Sequence, residues 1–144
     1  MSFQKIAINC CYGGFGLSDE ASEKLLVRKK IAYYVVTTLS ENGEVISKKF
    51  YRKTSSQINR VKYEGDSDPE NEYNDYIGMF DYYSHKNRTD PDLLAVIEEL
   101  GNDANGDCAK LAIIEIPDDV NWEIIDRDGA EYVAEKHRTW HYKY

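Results

Sequence analysis

A chain of 144 residues with 42% hydrophobic and 31% charged residues is long enough to bury one core and too apolar to stay disordered. Its net charge of -8 excludes binding that relies on clustered lysine and arginine along a phosphate backbone, so direct nucleic-acid binding is not expected. Cys10, Cys11 and Cys108 are an odd set without a disulfide framework, no signal peptide is recognised, and no apolar run approaches the roughly 18 residues of a membrane span, so the expected setting is the cytoplasm with no membrane contact.

The first element predicted is a buried strand over residues 4 to 11, carried by Ile6, Ala7, Ile8 and Cys10 and stopped by the glycines of "CYGGFGLS". Ser18 then suits an N-cap, with Asp19 and Glu20 in the first turn and Arg28, Lys29 and Lys30 in the last, which predicts a helix over 19 to 30. Two β-rich runs flank "ENGE" and predict strands near 32 to 39 and 45 to 52, joined at Asn42-Gly43 by a primed turn in which both central residues take positive φ.

From Thr54 to about Arg88 the periodicity fades into acids, asparagine and tyrosine, and a long loop or insertion is expected, with a short ordered piece at "YIGMF". The segment from Glu64 to Asn87 is expected to be the least ordered. The pattern returns at "TDPDLLAVIEELG". Asp90 caps, Pro91 takes the first helical position, Leu93, Leu94, Val96, Ile97 and Leu100 repeat at helical spacing, and Gly101 ends the helix. "AKLAIIEIP" reads as a central strand, and "NWEIIDRDGAEYVAEKHRTW" as a strand, a turn at "DRDG", and a strand or short helix. The order predicts one α+β domain with a mostly antiparallel sheet, two main helices and a variable acidic, Tyr-rich insertion at about 54–88. The 12 tyrosines, against 4 phenylalanines, suit half-buried sheet faces first and wet pockets second.

"INCCYGGFGLSDEA", "DPDLLAVIEELG", "AKLAIIEIPDDVNWEI" and "DGAEYVAEKHRTW" together resemble a family of small bacteriophage- and prophage-encoded proteins. The resemblance covers roughly residues 5 to 30 and 88 to 140 and skips the acidic middle. It implies an origin and no particular activity; host modulation, often the blocking of a defence, enters by analogy with other small phage proteins.

Two stretches carry candidate chemistry. The glycine loop lies between a strand and a helix, where backbone N–H groups and a helix N-terminus bind anions, although it is neither a dinucleotide fingerprint nor a P-loop. Its ligand-binding candidates are Asn9, Tyr12, Gly13, Gly14, Phe15, Gly16 and Ser18. The competing reading is a tight corner with Tyr12 and Phe15 on the core and Asn9 satisfying loop backbone. Near the other end, Arg138 and Trp140 offer a guanidinium and a ring able to stack a base, and Glu131, Glu135 and His137 share a strand face as acid/base candidates. A solvated face explains these residues as well. No metal site is expected, because His137 and His141 lack an H-E-x-x-H motif, the cysteines lack paired spacing, and "DSDPENE" departs from a calcium loop; no cofactor is expected either.

Three functions follow as expectations. The first is a non-enzymatic binder that sequesters a small phosphorylated or nucleotide-like ligand. The second is an acidic inhibitor or nucleic-acid mimic whose carboxylates, placed at Glu64 to Asp81, meet a basic host protein. The third is a small hydrolase or transferase using Glu131, Glu135 and His137. Homo-oligomer formation is left open.

Overall fold

The computed structural model describes residues 2–66, 76–77, 82 and 84–136. In chain order they form β1 (Phe3–Asn9), α1 (Asp19–Arg28), β2 (Tyr33–Leu39), β3 (Val45–Arg52), β4 (Arg60–Tyr63), β5 (Tyr76–Ile77), a 3-10 helix (His85–Thr89), α2 (Pro91–Leu100), a second 3-10 turn (Gly101–Ala104), β6 (Leu111–Pro117), β7 (Trp122–Arg127) and β8 (Ala130–Glu135). The class is α+β with mostly antiparallel pairing, as the patterns predict. Within it the chain divides into two compact units, one of Met1–Ala21 with Tyr82–Tyr144 and one of Ser22–Asp81. No helix among the described residues is long and apolar enough to cross a membrane.

The first unit layers a helix and two ribbons. β1 pairs antiparallel with β6, setting Ile6 opposite Ile114 and Ile8 opposite Ala112, and β7 pairs with β8. Side chains alternate faces along a strand, so Ile6, Ile8, Ala112, Ile114 and Ile116 share the face that meets Ile124, Trp122 and Val133 of the other ribbon. The Trp122 indole donates to Gln4 Oε1 on that same face. On the opposite face α2 packs against β1 and β6 and buries Leu93, Val96 and Ile97. Its ends are those expected: Asp90 accepts from the Asp92 N–H, Pro91 opens the helix, and Gly101 donates to the Ile97 carbonyl at φ 56°.

β6 corrects one expectation. It pairs with β1 alone among the described residues, and every one of its side chains is at least partly exposed. Its apolar run records two covered faces, a ribbon on one side and a helix on the other, and carries no information about how many strands lie beside it.

The second unit holds a four-stranded sheet in the order β4-β2-β3-β5. Tyr34 lies opposite Tyr51, their rings stack at 5.4 Å, and with Val36 they form the buried cluster. Six of the eight described tyrosines lie on strands, which supports the sheet-face explanation of their surplus.

The hairpin at Asn42-Gly43 joins β2 to β3, but the turn differs from the primed one expected. Gly43 takes φ 84° while Asn42 stays at negative φ, the Gly43 N–H donates to the Ser40 carbonyl, and the register shifts after Thr38. A turn at Ser40–Gly43 followed by a left-handed glycine and a bulge supplies the strand twist instead. The primed two-residue turn is found at Asp128-Gly129, φ 53° and 94°, between β7 and β8.

β4 is a second correction, since a loop was expected there. "RVKY" is too short for its alternation to stand out, and its partner β2 lies about twenty residues upstream in parallel register, Thr37 opposite Val61. Most of Glu64 to Asn87, including the bulk of "DSDPENE" and part of "YIGMF", lies outside the described residues; Tyr76–Ile77 pairs with β3.

Candidate functional site

The first unit concentrates its buried polar groups where β1 ends. Asn9 is fully buried, and its amide is completely engaged: Nδ2 donates to the Cys11 and Gly129 carbonyls at 2.6 and 2.7 Å, while Oδ1 accepts from the Lys110 N–H at 2.8 Å and meets Cys11 Sγ at 3.4 Å. One side chain thus ties the glycine loop, the approach to β6 and the β7–β8 turn together. An amide offers two donors and two lone pairs, so none is left for a ligand.

The glycine loop answers differently at each position. A Cβ on Gly13 would lie 1.7 Å from the Cys108 carbonyl oxygen, and a Cβ on Gly129 would lie 2.6 Å from both the Tyr12 oxygen and the Gly14 nitrogen. Gly106 donates its N–H to the Gly16 carbonyl, and a Cβ there would approach the Gly16 carbonyl carbon to 2.9 Å. The inner side of the loop is therefore filled by backbone. Gly14, at φ 90°, and Gly16 face open space where a Cβ would stand. Phe15 is buried, whereas Tyr12 is 78% exposed and does not join the core, contrary to the tight-corner expectation for that residue. Ser18 caps α1 as expected, its Oγ accepting from the Ala21 N–H and donating to the Asp103 carbonyl.

Beneath the loop lies a buried ion pair that the sequence did not disclose. Arg88 Nη1 and Nη2 donate to Glu131 Oε1 and Oε2 at 2.7 and 2.8 Å, with side chains only 1% and 3% exposed. Nη1 also donates to the Ala7 carbonyl and Nε to the Tyr82 carbonyl, and the guanidinium stacks 3.8 Å from the Phe15 ring centroid. Glu131 Oε1 accepts a further bond from the Asn9 N–H at 2.8 Å. Burying two charges is tolerable only when geometry and hydrogen bonds are this complete. The Tyr82 hydroxyl donates to Asp90, and burial, with that hydrogen bond second, holds its phenol well above the usual tyrosine range.

Of the acid/base candidates, Glu131 is locked to Arg88 while Glu135 is exposed, four residues or roughly 13 Å further along β8. They do not form a carboxylate pair. His137, Arg138 and Trp140 lie outside the described residues. His85, overlooked in the sequence, opens the 3-10 helix with Nε2 3.9 Å from Glu131 Oε2, and Asp126 faces Glu131 across the β7–β8 ribbon. "HKNRTDPD" carries no pattern that marks Arg88 or His85, because their partner is 43 residues away from Arg88.

Comparisons with protein-family models, with curated proteins and with solved structures find no match.

Proposed function

We propose that the chain is a phage- or prophage-type accessory protein that acts in the host cytoplasm by binding, and that it presents carboxylates to a basic host protein. One observation carries this reading. From Leu111 to Asp126, along β6, its turn and β7, the chain has Glu115, Asp118, Asp119, Glu123 and Asp126, all exposed, and no lysine or arginine. These carboxylates are carried by successive strands of two ribbons and the turn that joins them, and a basic surface would be steered towards them. The first unit's 16 acids against 8 bases equal the whole net charge of -8, and the second unit has 10 of each; most of the acidic stretch Glu64–Asp81 lies outside the described residues.

The rival readings have less to draw on. Arg88 and Asn9 are fully engaged within the fold, which among the described residues of the glycine-loop region leaves a small anionic ligand the outer rim at Tyr12, Gly14 and Gly16. A hydrolase would need Glu131 free to exchange protons, and both its oxygens are held.

The test is displacement of a labelled DNA duplex from a panel of basic host DNA-binding proteins. Wild type is expected to displace duplex from at least one member, less so as salt rises, and the variant Asp118→Asn/Asp119→Asn/Glu123→Gln is expected to lose the effect. Equal displacement by the variant, or calorimetric binding of a nucleotide by a wild type that displaces nothing, overturns the proposal.

A further inference from the structure

Asp126 and Glu131 sit directly opposite each other on β7 and β8. Like charges in that position destabilise a ribbon, and Arg88 neutralises only one of them. His85 Nε2 lies beside the same pair, and one ligand atom from each of the three side chains falls within 4.8 Å of the others. From this juxtaposition we propose that His85, Asp126 and Glu131 form a binding site for a divalent transition-metal ion, with Zn2+ as the best-matched occupant.

The lone pairs support the assignment. A carboxylate has about four acceptor sites. On Glu131, two are taken by the Arg88 fork and a third, on Oε1, by the Asn9 N–H. The remaining site belongs to Oε2, the oxygen nearest His85. Asp126 Oδ1 accepts from the Gly129 N–H at 2.8 Å, which orients the carboxylate and leaves Oδ2 for a metal. Arg88, Asn9 and Gly129 thus act as the supporting groups that fix metal ligands in place.

Charge and geometry are compatible with this occupant. With His85 neutral as a ligand, the Arg88, Glu131 and Asp126 charges sum to one negative, so a dication is drawn in despite the guanidinium. Tetrahedral zinc with bonds of about 2.0–2.2 Å places ligand atoms roughly 3.3 Å apart. The 3.9 Å between His85 and Glu131 then closes by a small movement of His85, which is half-buried, and of exposed Asp126, while Glu131 stays fixed. Imidazole with two carboxylates favours zinc-like ions over calcium or magnesium, and water completes the shell from the solvent side. The bound ion would pin the 3-10 helix to the β7–β8 ribbon; the site shares Asp126 with the acidic run proposed above, but uses none of Glu115, Asp118, Asp119 or Glu123.

The test is calorimetric titration of the full chain with Zn2+, thermal melts with Zn2+ or chelator, and absorption spectra of the Co2+ form. Expected are one ion per chain, a raised melting temperature with Zn2+, and a Co2+ spectrum without thiolate charge-transfer bands. His85→Ala and Asp126→Asn, both of which leave the Arg88 fork on Glu131 in place, should each weaken binding at least about tenfold. The triple variant Cys10→Ser/Cys11→Ser/Cys108→Ser and the double variant His137→Ala/His141→Ala should bind like wild type. No binding by wild type, binding unchanged in His85→Ala, or binding lost with the thiols or with His137 and His141 overturns the proposal.

Discussion

Arg88 is buried with its guanidinium bonded to Glu131 and to the Ala7 and Tyr82 carbonyls. Replacing it with alanine leaves the Glu131 carboxylate buried without its counter-charge, and we expect a loss of about 3–5 kcal/mol. Replacing both partners, Arg88→Met with Glu131→Leu, removes the stranded charge and should cost distinctly less than either single change. Urea melts of Arg88→Met, Glu131→Leu and the double variant check this, and additive losses would mean that the pair acts as two independent residues. The glycines separate in the same way. Gly13→Ala drives a methyl into the Cys108 carbonyl, whereas Gly14→Ala meets no atom and strains only its backbone at φ 90°, a cost of about 1–3 kcal/mol. Gly13→Ala should be clearly the worse of the two in thermal melts, and the reverse order would contradict the close approach. Tyr82 sets an alkaline limit. Its phenol is held protonated in the fold while an unfolded tyrosine ionises near pH 10, so the unfolded state loses the proton first. Wild type should therefore lose stability above about pH 10 relative to Tyr82→Phe, and parallel pH profiles would count against this assignment.

At the scale of elements, α2 was legible because each of its signals is local: a capping aspartate, a proline at the first position, apolar residues at helical spacing and a terminal glycine. Ile97→Ala should cost roughly 2–5 kcal/mol, the transfer term plus a cavity, and Leu94→Ala less, because Leu94 is only partly buried. Denaturant melts that ranked Leu94 above Ile97 would show that the helix is rotated. The two ends of α1 illustrate the limits. Ser18 was readable as a cap, but the helix stops at Arg28 and Lys30 takes φ 57° in a closing motif usually given to glycine, with the Ile31 N–H donating to the Leu26 carbonyl and the Lys30 N–H to the Val27 carbonyl. A lysine there gave no stop signal. Likewise β4 depends on pairing with a distant strand, the Asn42-Gly43 turn on a bulge that shifts register, and the Arg88–Glu131 pair on two segments that meet only after folding. Composition and spacing report neighbours along the chain, and the partners of β4 and of Arg88 are not neighbours; at Asn42-Gly43 the partners are local, but the dipeptide does not mark the bulge at Thr38/Leu39.

For the molecule as a whole, charge is the property most unevenly shared, since the first unit carries the entire net charge of -8 and the second none. Salt acts on this imbalance in two opposing ways. It screens repulsion among exposed carboxylates, which stabilises the fold, and it weakens exposed ion pairs such as Lys5–Glu98, which destabilises it. The sign follows from where each interaction lies. The ion pair with most at stake, Arg88–Glu131, is buried and little screened, whereas of the first unit's 16 acids only Glu131 is buried. Repulsion should therefore dominate the salt response. Raising NaCl from about 0.01 to about 0.15 M shortens the Debye length from roughly 30 to roughly 8 Å, and the melting temperature of wild type should rise. In Asp118→Asn/Asp119→Asn/Glu123→Gln, with three of those charges removed, the low-salt melting temperature should be higher and the salt-dependent rise smaller. Thermal melts of both proteins across the series measure it; a wild-type melting temperature that fell with salt would mean that exposed ion pairs outweigh the repulsion.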